Sequence, residues 1–213
     1  MDNIDIYRAE FKKALLELNR LEVTHILEKV NKYQVEVDFV EDIMVPVLEE
    51  IGDGWEAGTI ALSQVYISGR ICEDLVEKIF PVNLDKENHS TSIAIVTYDD
   101  YHPLGKKIVY SALRASGVNI LDYGFGITDA ELIENVIRDE IKILLISVLM
   151  LPAALRIKEL KETFEKKGYS LKILVGGAPF RFDAELWKEV GADAMGRTPL
   201  DALRWIKKWE GDL

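Results

Sequence analysis

The chain has a single cysteine, Cys72, so an intrachain disulfide is excluded and no thiolate zinc site can be built from cysteine alone. It also lacks long apolar runs. The longest, Ile143 to Ala154, is strand-like and broken by Pro152, well short of the roughly 20 residues of a membrane-spanning helix. The N-terminus has no signal-peptide core, which makes the cytoplasm the expected location and leaves no membrane partner. Positive charge is scarce as well: 26 Lys and Arg against 37 Asp and Glu give a net charge of −11. That balance argues against a nucleic-acid backbone or an anionic lipid surface as partner. Histidine occurs three times, and there is no fixed-period repeat or low-complexity segment. What remains is 213 residues at 48% hydrophobic and 30% charged, enough for one large domain or two small ones with real cores.

Two periodicities divide the chain. Up to about residue 80, apolar residues recur at spacings of three and four: Phe11, Leu15, Leu16 and Leu18, then Val23, Ile26, Leu27 and Val30. Val40, Ile43, Met44, Val47, Leu48 and Ile51 mark a third helix that Gly52 and Gly54 punctuate, and Leu62 to Phe80 a fourth. Four helices with short connections predict an all-α four-helix bundle over 1–82. A polar segment follows as a linker, 83–90. From there to the end, 91–213, short apolar runs alternate with amphipathic helices. Strands are predicted near 92–98, 118–123, 142–149, 171–175 and 192–195, and helices near 105–116, 128–139, 153–167, 182–190 and 199–209. Three of the strands are apolar nearly throughout, as parallel strands covered on both faces are. The fold class is therefore α/β, a flavodoxin-like doubly wound five-stranded parallel sheet preceded by the bundle.

In such a sheet, ligands bind beyond the carboxyl ends of the strands, where the strand order reverses. With flavodoxin-like order, that point lies between the first and third strands. The loop after the first carries Asp100-Tyr101-His102-Pro103-Leu104-Gly105. A carboxylate two residues from a histidine can accept one imidazole N–H, fix the tautomer and make the other nitrogen a better donor. The third strand ends at Ser147-Val148-Leu149 and the fourth at Gly176-Gly177. His25 and His89 have no comparable setting.

Asp100-x-His102-x-x-Gly105, Ser147-x-Leu149 and Gly176-Gly177, in this order, resemble the signature of cobalamin-binding domains of the methionine-synthase type. Gly191-Ala192-Asp193 also fits, and the helical half with Trp55-Glu56-Ala57-Gly58 resembles the cap of corrinoid proteins in methyltransferase systems. The resemblance implies cobalamin or a related corrinoid as cofactor, methylcobalamin in the loaded state. It makes His102 the lower axial cobalt ligand, replacing the cofactor's own base, and Asp100 its hydrogen-bond partner. Gly105, Ser147, Leu149, Gly176 and Gly177 would line the path of the displaced nucleotide tail. Trp55 and Tyr66 would touch the upper corrin face. The implied role is a methyl carrier, not a catalyst alone. It would take a methyl group from a substrate:corrinoid methyltransferase and give it to a second methyltransferase with a folate or thiol acceptor. A corrinoid-reactivating protein is a further implied partner. The alternative is a cobalamin-dependent sensor or cofactor-storage protein.

Some positions depart from that pattern. Asp99 stands where glycine is usual, Pro103 where an acid is common, Leu151 where a hydroxyl is frequent, and Val65-Tyr66 where the sensing branch has Glu-His. Other readings of the fold meet specific obstacles. Asp99-Asp100 would suit a phosphate-accepting receiver domain, but its third strand would need an aspartate where Ser147 to Leu151 has none. A flavin site would need a Ser/Thr-rich first loop. A cofactor-free interaction domain stays open at this point.

Overall fold

The computed structural model describes residues 3–31, 36–79 and 91–211. The expected linker 83–90, with His89, lies outside them, as does Phe80. The chain divides into two compact units, Met1–Pro81 and Val82–Leu213. Among the described residues, no helix is long and apolar enough to cross a membrane.

The first unit consists of α1 (Asn3–Leu16), α2 (Arg20–Asn31), α3 (Glu36–Phe39), a π-helical turn (Val40–Met44), α4 (Val45–Glu56) and α5 (Leu62–Ile79). Its core comes from the expected periodic positions, among them Phe11, Leu15, Ile26, Ile43, Val47, Ile51 and Val76, all buried. Phe11 and Phe39 meet edge to face at 5.4 Å. The third helix differs from expectation because Pro46 lies inside it. Proline has no N–H to give the carbonyl four residues back, and that oxygen, on Asp42, instead accepts Arg8 Nε at 2.6 Å. The backbone just before is wound to π pitch, with Val45 N–H bonded to the Val40 carbonyl. Gly52 and Gly54 do not end the helix. It runs on to Glu56 and stops where Gly58 takes φ +73°, the left-handed turn that glycine adopts without a side-chain clash.

The second unit is a five-stranded, wholly parallel sheet in the order β2-β1-β3-β4-β5, as the flavodoxin-like reading requires. Its strands are β1 (Ile93–Tyr98), β2 (Leu121–Ile127), β3 (Ile143–Ser147), β4 (Lys172–Gly176) and β5 (Ala194–Met195). The connecting helices are α6 (Leu104–Ala115), α7 (Asp129–Arg138), α8 (Leu151–Lys166), α9 (Ala178–Phe182), α10 (Leu186–Glu189) and α11 (Pro199–Glu210). Strand side chains alternate between two cores. Ala94, Val96, Leu144, Ile146 and Val175 pack on α7 and α8 through Val136, Ile157 and Phe164. Ile93, Ile95, Leu145 and Leu174 pack on α6 and α11 through Leu113, Ile206 and Trp209. Thr128 and Thr198 begin α7 and α11 with reciprocal capping boxes to Glu131 and Asp201, which satisfy otherwise unpaired amides.

Two boundaries differ from expectation. β2 runs to Ile127, past Gly124 and Gly126, and its pairing with β1 shifts register twice, so an irregular edge strand continues past the expected end at 123. The single helix expected over 182–190 is two short ones, separated by the extended backbone of Asp183.

Candidate functional site

β1 and β3 lie side by side in the sheet, so their loops leave the carboxyl edge as neighbours and turn toward opposite faces. The Asp100 side chain joins them. Its Oδ1 accepts the His102 backbone N–H at 3.1 Å and the ring Nδ1–H at 2.6 Å. Its Oδ2 accepts the amides of Leu149 at 2.7 Å and Met150 at 3.1 Å. Burial alone would push this carboxyl's pKa up. The hydrogen bond from His102 and those from the two amides outweigh burial and hold it below the usual carboxylate range. Asp100 is therefore an anion that only accepts, so His102 Nδ1 carries the proton and the lone pair sits on Nε2. The ring is half exposed. The site thus presents one oriented imidazole nitrogen, and among the described residues no group of three or more His, Cys, Asp or Glu side chains converges to hold a metal.

The other expected residues lie on the loops and strand ends around this pair. Gly105 is in the first turn of α6, and a Cβ there would come 3.2 Å from Ser147 Oγ. Ser147 pairs with Thr97 of β1 on one side and Gly176 of β4 on the other. The glycine pair has a cause within the fold. A Cβ on Gly176 would lie 3.0 Å from the Gly196 carbonyl, and one on Gly177, at φ +113°, 1.8 Å from the Val148 carbonyl. The chain's own backbone therefore demands the glycine at 177 and leaves little room for a side chain at 176, whatever else approaches them. Leu149 contributes its amide to Asp100, while its side chain is exposed together with Tyr101, Phe125, Met150, Leu151 and Phe182. They lie at the end of β2 and on the loops and helices that follow β1, β3 and β4, and the Tyr101 and Phe125 rings meet edge to face at 6.4 Å.

Several participants carried no signal that sequence reasoning used. The amides of Leu149 and Met150 are backbone groups. Asp99 has φ +47°, which explains why glycine suits that position. Its carboxylate takes Arg156 Nη1 at 2.7 Å, while Arg156 Nη2 reaches Asp129 at 2.8 Å and Asp129 also accepts the Tyr98 hydroxyl at 2.8 Å. Burial, then the Asp129 contact, raises the Tyr98 pKa. Lys106, buried on α6, is paired with Asp122 of β2. Thr97 is fully buried, and its hydroxyl has no hydrogen-bond partner. A hydroxyl residue opposite Ser147 was the one sequence clue to it. In the helical unit, Trp55 and Tyr66 are exposed.

The residues fit a corrinoid by their chemistry. There is one nitrogen donor with its tautomer fixed, several exposed apolar side chains suited to a macrocycle, and a hydroxyl-bearing row beside Gly105 in the first turn of α6. Residues 90–204 match a family model described as "B12 binding domain", and residues 7–79 match a second model of the same description. The chain belongs to the B12-binding-domain family. The B12-binding domain proper contains every residue of the site just described. Over 178 residues the chain is 32% identical to monomethylamine corrinoid protein 2 of Methanosarcina acetivorans, covering 79% of this chain and 80% of that one. It is 26% identical to trimethylamine corrinoid protein 2 of Methanosarcina mazei over 208 residues, 93% and 94% of the two chains. The structure of the Methanosarcina barkeri monomethylamine corrinoid protein superposes with a TM-score of 0.81 at 23% identity, covering 95% of this chain and 97% of that one. The B12-binding fold is therefore common to both.

Proposed function

We propose that this protein is a cytoplasmic corrinoid methyl carrier that works between two methyltransferases. A bound corrinoid supplies cobalt, which can accept a methyl group and release it again. The protein's part follows from its own residues. His102 Nε2 is the nitrogen available to cobalt, and Asp100 keeps Nδ1 protonated and the ring aimed. Because the same carboxylate holds the Leu149 and Met150 amides, the ligand loop is fixed to the neighbouring strand and cannot swing independently. Gly105, Ser147, Gly176 and Gly177 would flank the nucleotide tail, and the exposed apolar side chains around the pair would lie against the macrocycle and keep water from it. Names of the relatives, which refer to monomethylamine and trimethylamine, support an N-methyl amine as the class of methyl donor. The first partner is then an amine:corrinoid methyltransferase and the second one acting on a thiol or folate, with a reactivating protein to restore the reduced cofactor.

The observation that carries this reading is the Asp100–His102 pair at the switch point. Incubating the protein with hydroxocobalamin, followed by gel filtration, should yield a co-eluting corrin spectrum near one cofactor per chain. In the cobalt(II) state, the wild type should show axial nitrogen coupling from protein imidazole by electron paramagnetic resonance, and His102→Ala should lose it. Unchanged coupling in His102→Ala would remove His102 from the ligand role, and a colourless protein would remove the cofactor.

A further inference from the structure

Thr97 stands apart from every other polar residue of the sheet interior. Along β1, the face toward α6 and α11 reads Ile93, Ile95, Thr97, the first two buried in the apolar cluster shared with Ile143, Leu145 and Leu174. Thr97 is 0% exposed, and its Oγ1 has no hydrogen-bond partner. Valine has the same shape and would fill the space without an unpaired dipole, so a buried orphan hydroxyl lowers stability for no gain to the fold. Such groups call for an explanation outside the fold. Its neighbours supply one. Thr97 is in register with Ser147, and Ser147 with Gly176, so two hydroxyls and a missing side chain lie in one row across three adjacent strands. The row is at the carboxyl end of the sheet, three residues before Asp100, and α6 begins over it with Gly105 against Ser147 Oγ.

We propose that Thr97 is a binding residue for the cofactor's nucleotide tail, its buried hydroxyl pairing with a neutral hydrogen-bonding group of that tail. The partner is a ribose hydroxyl or a ring nitrogen of the base. One neutral hydroxyl in apolar surroundings does not replace the hydration of the phosphodiester. The inference rests on the corrinoid reading of the site and adds a contact that the Asp–His–Gly, Ser–Leu and Gly–Gly motifs do not include.

The test compares the full-length wild type with Thr97→Val and Thr97→Ser, using two probes: cobalamin, and cobinamide, which lacks the nucleotide. Cofactor-free Thr97→Val should melt at or above the wild-type temperature. Its dissociation constant for cobalamin should rise about three- to ten-fold, the effect of one neutral hydrogen bond. Its affinity for cobinamide should not change, and Thr97→Ser should bind both as the wild type does. A lower melting temperature in the cofactor-free Thr97→Val protein would overturn the inference by showing that the hydroxyl serves the fold. Equal changes for both probes, or none for either, would overturn it by removing the tail from the explanation. A wild type that binds neither probe would instead sink the corrinoid reading itself, and this inference with it.

Discussion

Asp100→Asn is the sharpest probe of the loop arrangement, because it is nearly isosteric while it removes the charge and turns one acceptor into a donor. The carboxylate serves donors on both oxygens: His102 on one, the Leu149 and Met150 amides on the other. A carboxamide has one oxygen. Whichever way it is turned, its NH2 faces one of the two donor sets, and that set loses its acceptor. Hydrogen bonds to a charged group contribute about 1.5–3 kcal/mol each, and the group left behind loses its partner where Asp100 itself is buried. The expected destabilisation of the α/β unit is therefore about 2–4 kcal/mol. Denaturant unfolding followed by tryptophan fluorescence reports it, since Trp187, Trp205 and Trp209 all belong to that unit. Native-state hydrogen exchange at Leu149 and Met150 locates it. A loss under about 0.5 kcal/mol with unchanged exchange at both amides would refute the clamp.

Other perturbations test separate parts. Gly177→Ala places a methyl against the Val148 carbonyl at positive φ, so its cost should exceed the ~1–3 kcal/mol of backbone strain alone; a variant within 1 kcal/mol of the wild type in chemical denaturation would show that this contact yields easily. Asp99→Gly relieves a left-handed backbone while giving up an exposed ion pair with Arg156, and should stay within about 0.5 kcal/mol of the wild type, whereas Asp99→Val should lose about 1–3 kcal/mol in the same assay. Asp193 is pushed up by burial but held lower overall by Lys161, the Ile173 amide and Lys172. Its carboxyl titrates below the unfolded value near 3.9, so its contribution is present above about pH 4 and disappears as the pH falls through the lower native value. The gap in melting temperature between wild type and Asp193→Asn should accordingly be constant from pH 7 to about 5 and close below about 4; a gap independent of pH would contradict the ion network.

The strands at 93–98, 143–147 and 172–176 were legible because a strand buried on both faces has no polar alternation to confuse with a helix. The βα alternation implied a parallel sheet, while its flavodoxin-like order was an assumption that the structure bears out. The failures were local and have local causes. Pro46 changed the winding of a helix whose apolar spacing stayed regular. The second strand runs past its expected end at 123, through Gly124 and Gly126, as an irregular edge strand. Asp183 broke a helix whose composition gave no warning. At the site, Asp100, His102, Gly105, Ser147 and the glycine pair were all singled out from spacing, and the structure puts them at one sheet edge. What stayed hidden were partners that side-chain identity does not encode: two loop amides, the Val148 carbonyl behind Gly177, and the absence of any partner for Thr97.

The Asp100 carboxylate and the Leu149 amide are 49 residues apart in the chain, and Val148 in turn bonds to the Gly176 carbonyl at 3.1 Å. This separation sets a schedule. During synthesis, Asp100, His102 and Gly105 emerge early, yet the Asp100 Oδ2 anchor to the Leu149 and Met150 amides forms only once β3 has docked beside β1. A nascent chain halted after β2 would carry the complete motif and its local Asp100–His102 contact, but not the anchor that fixes the loop to the sheet. Truncations ending between α7 and β3 would consequently keep His102 while leaving its partner carboxylate without the two amides that hold it.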